Sequence, residues 1–170
     1  MSPTQHSFDL PAELVLSVPW TWQSLAWGLQ KGLIGRVVAI QAATRLLAQG
    51  EPASAEVVEL AGCAIDDPLV EQLVTRLARD QAEAGAVDEP WLYLVLRWVY
   101  DNQTRFADPL QVVDEVYADF DYPAAISSFV RYMPSDSPDL GGEGNTRHLY
   151  ARWLRFLEEE ERRLTGVLEP

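Results

Sequence analysis

A strongly acidic segment lies between Asp108 and Pro123. It reads Asp108-Pro109-Leu110-Gln111-Val112-Val113-Asp114-Glu115-Val116-Tyr117-Ala118-Asp119-Phe120-Asp121-Tyr122-Pro123, with five carboxylates and no cation. Clustered carboxylates suit hard cations such as Mg²⁺ or Ca²⁺. The spacing speaks against that use. Asp119-x-Asp121 lacks the glycine and the closing Glu of a calcium loop, and no apolar strand precedes it, as a phosphotransferase Asp-x-Asp would require. Two readings remain. One is a solvated helix face, with Asp108 or Asp121 as an N-cap. The other is a recognition patch for a basic partner, with Asp114, Glu115, Asp119 and Asp121 as the contacting acids.

Other reactive residue types are scattered. Glu158-Glu159-Glu160-Glu161 is followed by Arg162-Arg163. On a helix, Glu158 with Arg162 and Glu159 with Arg163 are favourably oriented i,i+4 pairs of about 0.2–0.5 kcal/mol each, and the run reads as a solvated face. His6 lies near the N-terminus, and His148 follows Thr146-Arg147 near a helix start. No Ser–His–Asp or Cys–His spacing converges on either in sequence. Gly141-Gly142-Glu143-Gly144 resembles a phosphate loop in its glycines alone, with no strand before it and no lysine after it. Cys63 sits among small and apolar neighbours from Leu60 to Ala64 and is expected to be a buried, inert thiol. Arg97 interrupts an apolar run, where a charge must be paired or reach water. Trp20, Trp22 and Trp27 crowd one helix and are expected in the core; exposed, they would mark an interface. No catalytic residue, metal-ligand set or cofactor-binding motif emerges.

Helices must carry these groups. Pro11 and Pro19 bracket Ala12 to Val18, a short extended piece or one helical turn. Thr21 offers an N-cap ahead of Trp22, Leu25, Ala26 and Leu29, and Gly32 a stop. A second helix follows Gly35, with Val37, Ile40, Thr44 and Leu47 at helical spacing, and ends at Gly50. Val57, Val58, Leu60 and Ala61 suggest a short third. Asp67-Pro68 is an N-cap with proline at N1; it opens a helix whose stripe is Leu69, Val70, Leu73, Val74, Leu77 and Ala78. Trp91 to Tyr100 is apolar almost all round, and its length and Pro90 favour a central buried helix over a strand. Asp108-Pro109 repeats the start signal ahead of a face of Val112, Val113, Val116, Tyr117 and Phe120. Pro123 opens a short helix with Ile126, Phe129 and Val130 inward. A last helix runs from about Thr146 to Leu164. Nothing alternates at period two over a strand's length. The pattern predicts an all-α fold, a single-domain bundle of about seven or eight helices over residues 1–170. Residues 1–19 are expected to be loosely ordered and 135–145 to form a loop.

Composition narrows the classes further. The chain has 170 residues, 48% of them apolar and 10% aromatic, which excludes disorder as the main description. Its 26 acidic and 13 basic residues give a net charge of −13 and a pI near 4.4. Phosphate backbones and anionic membranes both reject such a surface, so neither nucleic acid nor membrane is expected as a partner. No signal peptide is visible, and the longest apolar stretch falls far short of the ~20 residues that span a bilayer. One cysteine permits no intrachain disulfide. Cytoplasmic residence is expected.

Several segments together resemble the bacterial domain-of-unknown-function family 2247. They are Trp20-Thr21-Trp22 with Leu25 and Gly28-Leu29, Trp91-Leu92-Tyr93 with Leu96, Asp108-Pro109-Leu110, Tyr117 to Pro123, and Phe129-Val130-Arg131-Tyr132-Met133-Pro134. The resemblance runs from about Trp20 to Leu157 and is most specific from Ala118 to Pro134. It implies a small, acidic, single-domain protein and carries no catalytic residue or cofactor. It also implies company, since small acidic bacterial proteins of this sort often sit beside toxin genes as immunity proteins. The expectation is a non-catalytic acidic binding protein whose partner has a basic surface, its specific form an immunity protein that neutralises a toxin domain by direct contact. The alternative is a small-ligand-binding protein or enzyme with a helical pocket using Arg97, Arg131, His148 and Tyr132. A third reading is an oligomer subunit joined through Trp20 and Trp22.

Overall fold

Thr21 starts a helix as its sequence context predicts. Its hydroxyl accepts from Ser24 N at 3.0 Å while Ser24 Oγ accepts from Thr21 N at 2.9 Å, a reciprocal capping box. The computed structural model describes residues 8–50, 52–81, 88–131 and 141–166. Among these residues every regular element is helical, so the fold is all-α. The helices are α1 (Ala12–Val15), α2 (Trp22–Gln30), α3 (Arg36–Ala48), α4 (Ala55–Ala61), α5 (Leu69–Asp80), α6 (Glu89–Asp101), α7 (Pro109–Asp119) and α8 (Gly141–Thr165). Two 3-10 helices, Gln103–Arg105 and Ala124–Phe129, flank α7.

The chain divides into two compact units, one of residues 6–94 and one built on residues 95–170. In the first, α2 packs on α5, α3 on α4 and α5, and α1 on α3. The Asp67 carboxylate accepts from Leu69 N at 2.9 Å and so caps α5. Val70, Leu73, Val74 and Leu77 form the buried stripe of α5. Trp91, at the start of α6, lies over Gly28 of α2, and its indole Nε1 donates to Ser24 O at 2.9 Å. In the second unit α8 packs on the Ala124–Phe129 helix. Phe129 stacks on Trp153, their ring centroids 6.4 Å apart. The apolar run before Tyr100 is helical, with Trp91, Tyr93, Leu94, Val95, Leu96 and Val99 all buried.

Three expectations are corrected here, and the facing of α3 is added to them. Residues 8–18 are not loosely ordered: Phe8, Leu10, Val15 and Val18 are buried, and Leu10 N donates to Leu33 O at 3.0 Å; residues 1–7 lie outside the described residues. On α3 the buried face is Val38, Ala39, Ala42 and Ala43, whereas Val37 and Ile40 are half-buried and Leu47 is exposed. Small side chains let α3 approach its neighbours closely, so the bulkier stripe turns outward. Helix α8 begins at Gly141, so residues 141–145 are helical rather than loop; residues 132–140 lie outside the described residues. Cys63 is half-buried and its thiol donates to Glu59 O at 3.4 Å. Burial and the Asp67 and Glu59 carboxylates raise its pKa.

Candidate functional site

Helix α7 is the element on which the candidate acids ride. Asp108 is extended and its carboxylate accepts from Gln111 N at 3.3 Å, so it is the N-cap, with Pro109 in the first turn. Leu110, Val112, Val113, Val116 and Tyr117 face the core, and Phe120 is half-buried. This burial fixes which way the acids can point.

They meet different fates. Arg131 reaches back from the residue after Val130 and takes hold of two of the carboxylates. Its Nη1 donates to Asp108 Oδ2 at 2.9 Å, and its Nη2 and Nε donate to Asp114 Oδ2 at 3.1 and 3.2 Å. The backbone N of Arg131 adds a fourth bond, to Asp114 Oδ1 at 3.2 Å. The Asp114 side chain is only 18% exposed. Burial works against the guanidinium charge, but its bonds to Asp108 and Asp114 prevail and raise its pKa. Tyr150 feels the same cluster. Burial and Asp108 raise its phenol pKa, Arg131 lowers it and Tyr100 raises it, with a net upward shift.

Glu115 is half-buried and accepts from Gln111 Nε2 at 3.3 Å. Asp119 and Asp121 are exposed. Asp121 is no N-cap. It lies past the C-terminus of α7 at φ 63, followed by Tyr122 at φ 57. Asp121 N donates to Ala118 O at 3.2 Å and Tyr122 N to Tyr117 O at 2.8 Å, the paired bonds of a Schellman motif. Its apolar contact is the edge-on pair of Tyr117 and Tyr122 rings, 5.3 Å apart. The four candidate acids are thus one clamped, one half-buried and two free at a helix end.

The two arginines of the alternative pocket are held by different carboxylates. Arg97 pairs with Asp101 at 3.1 Å, one turn along α6, as a charge in an apolar run requires. Arg131 is committed to Asp108 and Asp114. His148 is half-buried on α8, and Tyr132 lies outside the described residues. A groove of about 560 Å³ does occur, between α2 and α5, where Ala26, Leu29, Val74 and Ala78 line it with Glu71 and Arg79. None of the residues expected of a pocket is there, and no sequence signal had pointed to it. Of the tryptophans, Trp22 is buried, while Trp20 and Trp27 are half-buried. Trp27 stacks on Trp91 and carries Lys31 Nζ 5.6 Å from its ring centroid. In the final acidic run the pair formed is Glu160 with Arg163, at 2.6 Å and i,i+3, in place of the Glu159–Arg163 pair expected at i,i+4. Glu158, Glu159 and Glu161 are exposed.

Among the described residues no group of three or more His, Cys, Asp or Glu is placed to hold a metal ion. No helix among them is long and apolar enough to cross a membrane. The family model DUF2247, an uncharacterized protein conserved in bacteria, matches residues 14–161. No curated protein and no solved structure matches the chain.

Proposed function

The chain belongs to that bacterial family, DUF2247, and we propose that it is a non-catalytic binding protein for a basic protein partner, acting in the cytoplasm. One observation carries the reading: a net charge of −13, with exposed carboxylates such as Asp119, Asp121, Glu158, Glu159 and Glu161 outside every ion pair of the described residues. Such a surface raises the encounter rate with a cationic protein and repels nucleic acid. A toxin domain with a basic substrate cleft fits this chemistry, and an immunity protein that blocks the cleft by direct contact is the specific form proposed. Asp119 and Asp121 are the proposed contacts, with Glu115 beside them. Asp114 serves by holding Arg131.

The test is capture of the partner from the producing bacterium, followed by stopped-flow association with the purified pair. Raising salt from ~50 to ~500 mM shortens the Debye length from more than 10 Å to a few ångströms. It should slow association far more than it speeds dissociation. Asp119→Asn with Asp121→Asn should flatten that response while leaving the Arg131 clamp intact. A captured partner without a basic surface, or an association rate indifferent to salt, refutes the reading.

A further inference from the structure

Four large apolar side chains are exposed among the described residues: Leu47, Val58, Ile65 and Tyr122. Tyr122 belongs to the Schellman motif that ends α7. The other three fall between the last turn of α3 and the turn before α5. Val58 is 55% and Ile65 66% exposed. On α4 the inward side is Val57 and Leu60, which are buried. The stretch from Leu46 to Thr75 also contains no lysine or arginine but carries Glu51, Glu56, Glu59, Asp66, Asp67 and Glu71. Arg36 reaches Glu71 at 2.7 Å. Glu59 and Asp66 are exposed and outside every ion pair of the described residues.

Charge alone makes a fast encounter and a weak grip, because exposed ion pairs add little once formed. A lasting contact needs apolar side chains shielded from water at its centre and charge at its rim. Along α4 and the turn after it, the neighbours Val58 and Glu59, and Ile65 and Asp66, each set an exposed apolar side chain next to an exposed carboxylate in the chain. We propose that α4 and the turn after it dock an amphipathic, cationic protein segment. Apolar side chains of the segment cover Val58 and Ile65, and its lysines or arginines meet Glu59 and Asp66. This rests on the reading of a basic protein partner and names the surface that holds it. A second copy of the chain is the poorer occupant, because it would bring carboxylates against carboxylates at a net charge of −13 each.

The probe is a synthetic helical Lys/Leu peptide with its leucines on one face, against a scrambled peptide of equal composition. Binding to the full chain is followed by anisotropy of the labelled peptide and by methyl NMR. The Ile65 and Val58 methyls should shift, and the scrambled peptide should bind more weakly. Val58→Ser with Ile65→Ser should weaken binding about tenfold, through faster dissociation. Glu59→Gln with Asp66→Asn should instead slow association and flatten its salt dependence. All four positions are exposed or at the helix surface, and unchanged thermal melts show that the variants fold. Shifts centred on Asp119 and Asp121 with Ile65 silent overturn this inference and leave the basic-partner reading standing. No binding of either peptide anywhere counts against both. Concentration-dependent dimerisation abolished by Val58→Ser and Ile65→Ser would assign the face to a second copy and overturn the proposal.

Discussion

Gly28→Ala puts the contact of α2 with Trp91 to the test. A Cβ at position 28 would lie 2.5 Å from Cη2 and 2.9 Å from Cε2 of Trp91, and nearer still to Cζ2. Trp91 is 1% exposed, so no empty space receives the displaced ring. Its Nε1 is held by Ser24 O at 2.9 Å, so the ring cannot swing away without releasing that bond. On an open helix, alanine is favoured over glycine by about 1 kcal/mol. Here overpacking costs about 1–3 kcal/mol, and leaving the buried indole N–H without its acceptor costs about 1–3 kcal/mol more. The net expectation is destabilisation by about 2–3 kcal/mol, opposite in sign to helix propensity.

Urea unfolding followed by circular dichroism measures that difference, with near-ultraviolet dichroism reporting the tryptophan packing. Gly142→Ala is the control, because a Cβ there meets nothing within 4 Å. It should change stability by no more than about 0.5 kcal/mol, in the stabilising direction, at the first turn of α8. Trp91→Phe combined with Gly28→Ala should cost less than the two single changes added, by about 1 kcal/mol, because the smaller ring makes room. A Gly28→Ala protein as stable as the parent, or fully additive with Trp91→Phe, would refute the account of this contact.

Two further outcomes follow from the second unit. Asp121→Gly should stabilise by about 1 kcal/mol, since glycine accepts the left-handed conformation that an L side chain resists, and the change removes a carboxylate from the negative end of α7; an unchanged or lower urea midpoint would contradict the Schellman geometry. Arg131→Met should cost about 1 kcal/mol, a surface-pair magnitude because the arginine is 40% exposed. It should also push the Tyr150 titration further above its ordinary 10.0, because Arg131 lowers that pKa while Asp108 raises it. A phenol held protonated in the folded state adds stability below its unfolded pKa and loses it as pH rises through the folded one. The Arg131→Met protein should therefore lose relatively more stability above pH ~10 than the parent, and a downward move of the Tyr150 carbon resonance titration would sink this explanation.

Helix starts and stops were legible because their causes are local. Thr21 with Ser24, Asp67 before Leu69, and Asp108 before Gln111 each satisfy a backbone donor within three residues, and such signals are read directly from sequence. Facing was less legible. On α3 the periodicity of Val37, Ile40, Thr44 and Leu47 is real, yet a second stripe of Val38, Ala39, Ala42 and Ala43 runs beside it. Which stripe turns inward depends on how near the neighbouring helices come, and small side chains win where the approach is close. The start of α8 departs from its local sequence signal for a related reason. Glycines at 141, 142 and 144 signal a turn by propensity, but the helical context overrides them.

The candidate acids expose a different limit. Nothing local joins residue 131 to residues 108 and 114, because the path between them passes through the Ala124–Phe129 helix and back. What a linear reading can carry is the absence of cations beside acids, and 106–130 and 46–75 are two acid-rich stretches that show it. They are equally acidic, with five carboxylates in 25 residues and six in 30. The fold treats the two differently. Arg131, one residue beyond the first stretch, returns to neutralise Asp108 and Asp114 and leaves Asp119 and Asp121 exposed at a helix end. From beyond the second, Arg36 takes Glu71, and Glu59 and Asp66 stay exposed next to Val58 and Ile65. Equal patterns of missing charge therefore differ in what they can recognise. A segment whose acids are clamped from within can attract a partner only through the few it leaves over. One that keeps free acids beside exposed apolar side chains has the means to attract a partner and also to hold it.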